Sequence, residues 1–439
     1  MAKGQHEIRD PIHVFVRLSS GERAVLDSRP FQRLRHIHQL AMTYLVYPGA
    51  THKRFEHSLG VMELASRVFD VVTRQENVSD EVQEQIPELS GQHDHIYAYW
   101  RTVVRMAALC HDIGHLPFSH AAEKELLPTG WTHERLTAEL VRSSEMSAIW
   151  DDLKINANDV LKVALGPKEA TKVDKAIKFS FWETLLSEVI VGDALGADRM
   201  DYLLRDSYHA GVAYGRFDHY RLIDTMRLLP SPSDGAPALG IEEGGLQSAE
   251  GLMLARYFMY SQVYFHPIRR IYDVHLKDFL KTWLPDGQFS TDIRKHLELT
   301  DNEVNSAIMS AAHDSASQCH EPARVLVKRE HFKDVYQRAP SDVEINPEAG
   351  RQIFDALCEH FGAEHFRHDR YKQRGGAPDF PVRLRDGRIA SSMAMSGVLR
   401  EVPVVSTDYV FADRATVDKA KSWLGANRKD IVKAAKEGD

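Results

Sequence analysis

The chain has 439 residues, 43% of them hydrophobic and 27% charged, with a formal net charge of −8 at pH 7. That is ordinary for a globular protein with a large core, and it excludes non-specific nucleic-acid binding through global charge. The three cysteines, Cys110, Cys319 and Cys358, lie too far apart for a disulfide framework or a CxxC metal site, so a reducing cytoplasm is the expected compartment.

The N-terminal "MAKGQHEIRDPIHVFV" lacks the apolar core of a signal peptide, and no apolar run is long enough for a membrane span. Residues 7–16 and a short run near 24 read as strand or turn. "PFQRLRHIHQL" (30–40) sets apolar residues at 31, 34, 37 and 40, a helical spacing behind an initial proline. Pro48-Gly49 breaks it, and helix resumes over about 56–74. A polar stretch follows, then an amphipathic helix over 97–112 that ends near Gly114 and Pro117. Thr132 is placed to cap the helix containing His133, with Glu134 in its first turn.

Further helices are predicted over 133–147, 157–165 and 181–207. "LLPSPSDGAPALG" (228–240) reads as a turn between strands, and 248–284 as one long helix kinked at Pro267. "RVLVKR" (324–329) and "EVPVVSTDYVFA" (401–412) read as β, and "RYKQRGGAPDFPVRLRDGR" (370–388) as a basic loop. The expected fold is mainly α: a helical catalytic core over 1–285, with a smaller α+β lobe over 286–439 serving oligomerisation or regulation. No internal repeat is evident.

Chemistry concentrates in "LCHDIGHLPFSH" (109–120). Neighbouring helical side chains diverge by about 100°, so His111 and Asp112 can share an ion where the helix ends, as "DIGH" allows. A buried histidine beside a capping aspartate is the plainer reading. Two other places bear on the choice: His57 in "HKRFEHSLG", and Asp198 in "DALGADRMDYLLRDSYH". Asp198, Tyr202, Arg205, Asp206 and His209 fall on one helical stripe about 100° wide, opposite Met200, Leu203 and Leu204. Such a stripe is either a solvated surface or the wall of a polar pocket.

"RFEHSLGV", "LCHDIGHLPFSH", "WTHE" and "DRMDYLLRDSYHAG", in this order and with "FQRLRHIHQL" and "YPGATHKRFEHS", resemble the HD-domain deoxynucleoside triphosphate triphosphohydrolases. The resemblance spans about residues 7–280. It implies an HD-domain helical core in which His57, His111, Asp112 and Asp198 are metal ligands. Two imidazoles and two carboxylates suit Mn, Fe, Ni, Co, Zn or Mg rather than the closed Cys-rich site of a structural zinc. A bound ion can acidify a water and neutralise phosphate charge.

The same resemblance implies that His120 is the acid to the 5′ oxygen and that His115 contacts the α-phosphate. Glu134, next to His133, would orient His115, and Glu123 stands one turn after His120 where the family commonly has Asp. Arg54, Arg199 and Arg256 would meet the triphosphate, with Tyr260 and Tyr264 on the same helix face as Arg256. Tyr202 and Asp206 match residues that contact the deoxyribose, and Gln39 and Leu40 match positions that meet sugar and base. A tyrosine packed under C2′ rejects a 2′-hydroxyl.

Asp27, Gln32 and Arg35 correspond to residues that bind an activating nucleotide between subunits. The family implies a dNTP substrate and a homo-oligomer, a dimer, tetramer or larger. It leaves no room before residue 7 for an added N-terminal SAM domain. Two rival readings carry weight. One is an HD phosphohydrolase for a nucleoside monophosphate or signalling nucleotide. The other is a nucleotide sensor or nucleic-acid-binding regulator, suggested by the basic loop 367–387.

Overall fold

The computed structural model describes residues 5–90, 94–121, 123–372 and 378–433. It divides into two compact units that are interleaved along the chain. The first holds Met1–Met259, Ser290–Asp301 and Gly376–Pro403; the second holds Tyr260–Phe289, Asn302–Gly375 and Val404–Asp439. The expected single boundary at 285 therefore does not match the division. The reason lies in strand pairing: Pro381–Arg383 and Ile389–Ser391 complete a four-stranded sheet begun by Met226–Pro230 and Pro237–Glu242 in the first unit.

The first unit is mainly helical. It opens with an antiparallel hairpin, Gln5–Asp10 against Val14–Ser19. Its centre is the helix Arg54–Val72, packed between Asp94–Cys110 and Ala197–Ala210. That helix is buried on most sides, with Leu59, Val61, Met62, Leu64, Ala65, Val68 and Phe69 all in the core. Glu56 closes its start by accepting the Lys53 N–H at 2.7 Å, so the helix begins one turn before His57.

Tertiary contacts override local pattern in several places. The helix expected over 30–40 lasts only for Arg29–Arg33 and a 3₁₀ turn, Leu34–His36. Beyond it the backbone extends because His38 N–H is taken by the Asp301 carboxylate and Gln39 N–H by the His52 carbonyl. The helix expected over 181–207 is two, Phe181–Val191 and Ala197–Ala210, separated by a turn bounded by Gly192 and Gly196. At Gly192 a side chain would collide with the Glu188 carbonyl.

Two expectations fail further along. The segment 324–329, read as β, belongs to the helix His320–Val327, where Ala323 and Leu326 form a buried face at helical spacing. The long helix of 248–284 is Leu246–Met259, a π-helical turn Tyr260–Tyr264, and a new helix Pro267–Trp283. The break thus precedes Pro267, at the boundary between units.

The second unit carries the antiparallel sheet Lys333–Gln337, Ser406–Ala412, Phe366–Lys372, with Ser406–Ala412 in the middle. Its core joins Tyr336, Phe366 and Val410 to Ile353, Leu357 and Leu424 from the helices Ala349–Phe361 and Val417–Lys433. Part of the basic loop of 370–388, residues 373–377, falls outside the described residues. Among the described residues no helix is long and apolar enough to cross a membrane.

Candidate active site

The helix Asp94–Cys110 ends immediately before His111-Asp112, as the sequence spacing requires. His111 Nδ1 lies 2.8 Å from the carbonyl of Ala108. A carbonyl can only accept, so Nδ1 carries the proton and Nε2 presents its lone pair. That Nε2 is buried and makes no hydrogen bond. Its nearest charged neighbours are Asp112 Oδ2 at 3.4 Å and Asp198 Oδ1 at 3.6 Å.

His57, in the first turns of the helix Arg54–Val72, brings a second Nε2 to the same spot, 3.0 Å from Asp198 Oδ1 and 3.7 Å from Asp112 Oδ2. His57, His111 and Asp112 each offer a ligand atom within 4.8 Å of the others, and Asp198 Oδ1 borders both imidazoles. The Asp198 side chain is 29% exposed, which leaves this edge of the cluster open. A buried imidazole nitrogen without a partner, among carboxylates, fits a divalent cation.

Arg54 counterbalances the carboxylates. Its Nη1 donates to Asp112 Oδ2 and its Nε to Ser119 Oγ. Burial pushes the Asp112 carboxyl up, but the Arg54 guanidinium beside it leads the interactions that hold it well below the usual carboxylate range. Burial lowers His57, yet its hydrogen bonds to Asp198 and Asp201 outweigh this and raise it to about 10. Ligation through Nε2 would therefore displace a proton.

Asp201 escaped the sequence reading. Buried on the helix Ala197–Ala210, it accepts from His57 Nδ1 at 2.9 Å, from His13 Nε2 at 2.7 Å, and from Arg205 Nε and Nη2 at 2.8 and 3.0 Å. Its signal was the charge density of "DRMDYLLRD", unusual for a helix whose Met200 and Leu203 are fully buried. The polar stripe is accordingly not a solvated surface, since Arg205 and Asp206 are buried and Asp198, Tyr202 and His209 are half-buried. Arg205 faces inward with no exposed side-chain area, and Asp206 Oδ1 accepts from His52 Nε2 at 2.7 Å. His209 stacks on His52, and burial and the His52 charge depress it to about 4.

On the other side of Asp112, His115 Nε2 sits 3.2 Å from Oδ1, and its ring stacks on His133 with centroids 4.0 Å apart. Burial, Arg54 and His133 push His115 well below the ordinary histidine range, which keeps it neutral. His133 goes the other way: burial lowers it, but Glu123 and Glu134 raise it to about 9. Glu123 accepts from His133 Nδ1 at 2.7 Å and from its backbone N–H at 2.9 Å, while Glu134 stands 3.4 Å from Nδ1. The longer Glu123 side chain thus reaches His133, and it rather than Glu134 makes the short contact. Gly114 permits this layer, since a side chain there would strike the backbone of the helix His133–Val141. The side chain of His120 lies outside the described residues.

The remaining predicted residues are less tightly grouped. Gln39 Oε1 is buried and makes no hydrogen bond, and Leu40 is buried beside it in sequence. Tyr202 is half-buried, one turn beyond Asp198. Arg199 Nη2 is paired with Asp193. Arg256 lies in the last turn of the helix Leu246–Met259, and Tyr260 and Tyr264 form an edge-to-face pair in the π turn of the second unit. Gln32 Oε1 accepts from Arg35 Nε at 2.9 Å, Arg35 lies over the Phe55 ring, and Asp27 pairs with Arg23.

Residues 54–166 match the HD domain and residues 217–365 the HD associated region. An uncharacterized protein of Methanocaldococcus jannaschii is 37% identical over 270 residues, covering 62% of this chain and 48% of that protein. The deoxynucleoside triphosphate triphosphohydrolase SAMHD1 of Gallus gallus is 25% identical over 459 residues, covering 98% of this chain and 68% of that protein. The crystal structure of a hypothetical protein from Aquifex aeolicus is 32% identical, with a TM-score of 0.77 over 96% of this chain and 100% of that one. The chain spans about half the length of the first curated relatives that it matches.

Proposed function

Because the chain belongs to the HD-domain, dNTPase-like family, we propose that it hydrolyses deoxynucleoside triphosphates to a deoxynucleoside and inorganic triphosphate at the His57–His111–Asp112–Asp198 cluster. The observation that carries the reading is the buried His111 Nε2, held without a hydrogen bond among carboxylate oxygens. These four residues would hold a divalent cation, Mn, Fe, Ni, Co, Zn or Mg by donor type. Bound there, it supplies Lewis acidity toward water and a phosphate oxygen.

The protein's own groups do the rest. Arg54, fixed by Asp112 and Ser119, keeps a cation beside the ion site for the phosphates. Neutral His115, stacked on a His133 that Glu123 keeps protonated, contacts the α-phosphate. His120 delivers the proton to the 5′ oxygen, a role that rests on its place in the sequence. Tyr202 packs under C2′, Gln39 offers its unpartnered Oε1 to the sugar, and Asp206 and Leu40 complete that side. Arg199 and Arg256 extend the cationic surface.

A homo-oligomer, a nucleotide activator at Asp27, Gln32 and Arg35, and a reducing cytoplasmic setting for three free thiols belong to the same reading. A second reading, an HD phosphohydrolase for another nucleotide, is favoured by one observation. Asp206 and Arg199, expected to read sugar and phosphate, are engaged by His52 and Asp193.

Products separate the two. The purified full chain is incubated with each dNTP and each candidate metal, with mixed dNTPs as activators, and the phosphates are resolved by anion exchange. Inorganic triphosphate is the expected product; orthophosphate or pyrophosphate in its place would overturn the first reading.

A further inference from the structure

The carboxylate of Asp201 has every acceptor position filled, and all of its donors come from three side chains. Oδ2 receives His57 Nδ1 and Arg205 Nε; Oδ1 receives His13 Nε2 and Arg205 Nη2. An ionised carboxylate offers about four such positions. Its place is therefore determined from three directions, and so is the ring of His57.

The donors lead to the N-terminal hairpin. Arg205 Nη1 donates to Asp10 Oδ2 at 2.8 Å. Asp10 Oδ1 accepts the backbone N–H groups of Ile12 and His13, each at 2.8 Å. The turn that Asp10 folds is the one that aims His13 back at Asp201, which closes a ring of contacts. Val14, next to His13, sits at φ 67°, a conformation rarely adopted by a β-branched residue. The hairpin end is thus held in a strained shape in which the His13 ring reaches the core, and His13 and Asp201 have no exposed side-chain area.

We propose that Asp201 is the positioning residue for His57, and that the Asp10–Val14 turn locks it in place through His13, so that a hairpin supplying none of the proposed ligands sets part of the site's affinity for its ion. The inference rests on the ion site proposed above. His57 can present its Nε2 lone pair only while Nδ1–H is donated elsewhere, and Asp201 is the acceptor of that proton. A carboxylate in this position also raises the basicity of the imidazole. A purely structural ion pair would satisfy Asp201 with Arg205 alone and would have no use for the hairpin.

The test titrates metal-free full-length protein with Mn²⁺, read by electron paramagnetic resonance of the free ion, and with Co²⁺, read by visible absorption. Melting of each metal-free variant is measured alongside. Asp201→Asn should weaken Mn²⁺ by about 10- to 100-fold and alter the Co²⁺ bands, as outer partners of ligating histidines do elsewhere. His13→Ala should weaken Mn²⁺ in the same direction, and His13→Gln, whose amide nitrogen can stand where Nε2 stands, should restore it.

If Asp201→Asn does not fold, the two His13 variants decide the matter. Wild-type affinity in a folded Asp201→Asn, or equal affinity in His13→Ala and His13→Gln, would overturn this inference alone. A wild-type chain that binds neither ion would overturn the ion site itself, and this inference with it.

Discussion

His57 Nε2 lies 3.0 Å from Asp198 Oδ1, across 141 residues of sequence. The contact joins the helix Arg54–Val72 to the helix Ala197–Ala210, while His111 and Asp112 arrive from the end of a third. Three helices packed on one core thus deliver a donor set that no single segment contains. The packing that buries Leu59 and Met62 also sets the geometry of the cluster.

Asp112 is shared between Arg54 and the cluster, so its removal has two consequences that can be separated. Asp112→Ala leaves the Arg54 guanidinium buried without its partner, a loss of about 3–5 kcal/mol in stability. Asp112→Asn keeps an acceptor and spares most of that. Both variants should fall well below one metal per chain by mass spectrometry of the metal content. Hydrolysis should drop by about a thousandfold, equivalent to about 4 kcal/mol of barrier. Full metal occupancy in Asp112→Asn would remove Asp112 from the ligand set.

The Glu123–His133 pair makes a prediction with a definite sign. His133 is raised to about 9 in the folded chain, against about 6.5 when unfolded. The folded state therefore binds its proton more tightly between these values. The contribution to stability is fully present below about pH 6.5 and fades as pH rises through 9. Glu123→Gln should lower the melting temperature of metal-free protein at pH 6 and have little effect at pH 9.5. An equal loss at both pH values would mean that the pair is not charged.

The sequence exposed those parts of the site that are local. His111-Asp112 at a helix end, Glu134 after a capping Thr132, and extended chain or turn over 7–16 all follow from neighbours a few residues apart. Asp201 was hidden because an aspartate on a helix already carrying Asp198, Arg205 and Asp206 reads as one more surface charge. Its burial depends on His13, 188 residues away. The 30–40 segment misled for the same reason, since Asp301 captures His38 N–H from a distant part of the chain. The consecutive apolar residues Val325, Leu326 and Val327 in "RVLVKR" resembled a strand, whereas the buried pair Ala323 and Leu326 obeys the helical period.

Gly60 gives a steric probe of the Asp201 layer. An added methyl would run into the carboxylate of Asp201 and the guanidinium of Arg205. Both are bound on all sides, so neither can retreat cheaply. Gly60→Ala should cost about 1–3 kcal/mol of stability, as overpacking does. It should also weaken Mn²⁺ by moving the acceptor of His57. A stable Gly60→Ala protein with unchanged Mn²⁺ affinity would show that the layer tolerates displacement.

Tyr202 tests the sugar assignment. It stands one helical turn beyond Asp198, where a ring can line the space next to the ion cluster. Tyr202→Ala should raise ribonucleotide turnover relative to deoxyribonucleotide by about 10- to 100-fold in kcat/KM, the range that shape exclusion in a pocket supplies. Metal content should stay at the wild-type level. An unchanged ratio would place the determinant of sugar choice elsewhere.

Asp301 predicts a loss of rate without a loss of metal. Its Oδ2 accepts His38 N–H at 2.7 Å and His38 Nδ1 at 2.6 Å, and its Oδ1 accepts Phe118 N–H at 2.6 Å. Phe118 and Ser119 both sit at φ 56°, uncommon for residues other than glycine, so this turn needs external support. Ser119 in turn accepts from Arg54 Nε at 2.7 Å and donates to the His38 carbonyl. Asp301→Ala would release the turn, and Arg54 would keep Asp112 but lose its second anchor. The four proposed ligands are untouched, so metal content should remain at the wild-type level. The rate should fall by about 10- to 100-fold, because a cation displaced by a fraction of an ångström from the phosphate no longer stabilises its charge. A proportional loss of metal and rate would instead make Asp301 a support of the ion cluster.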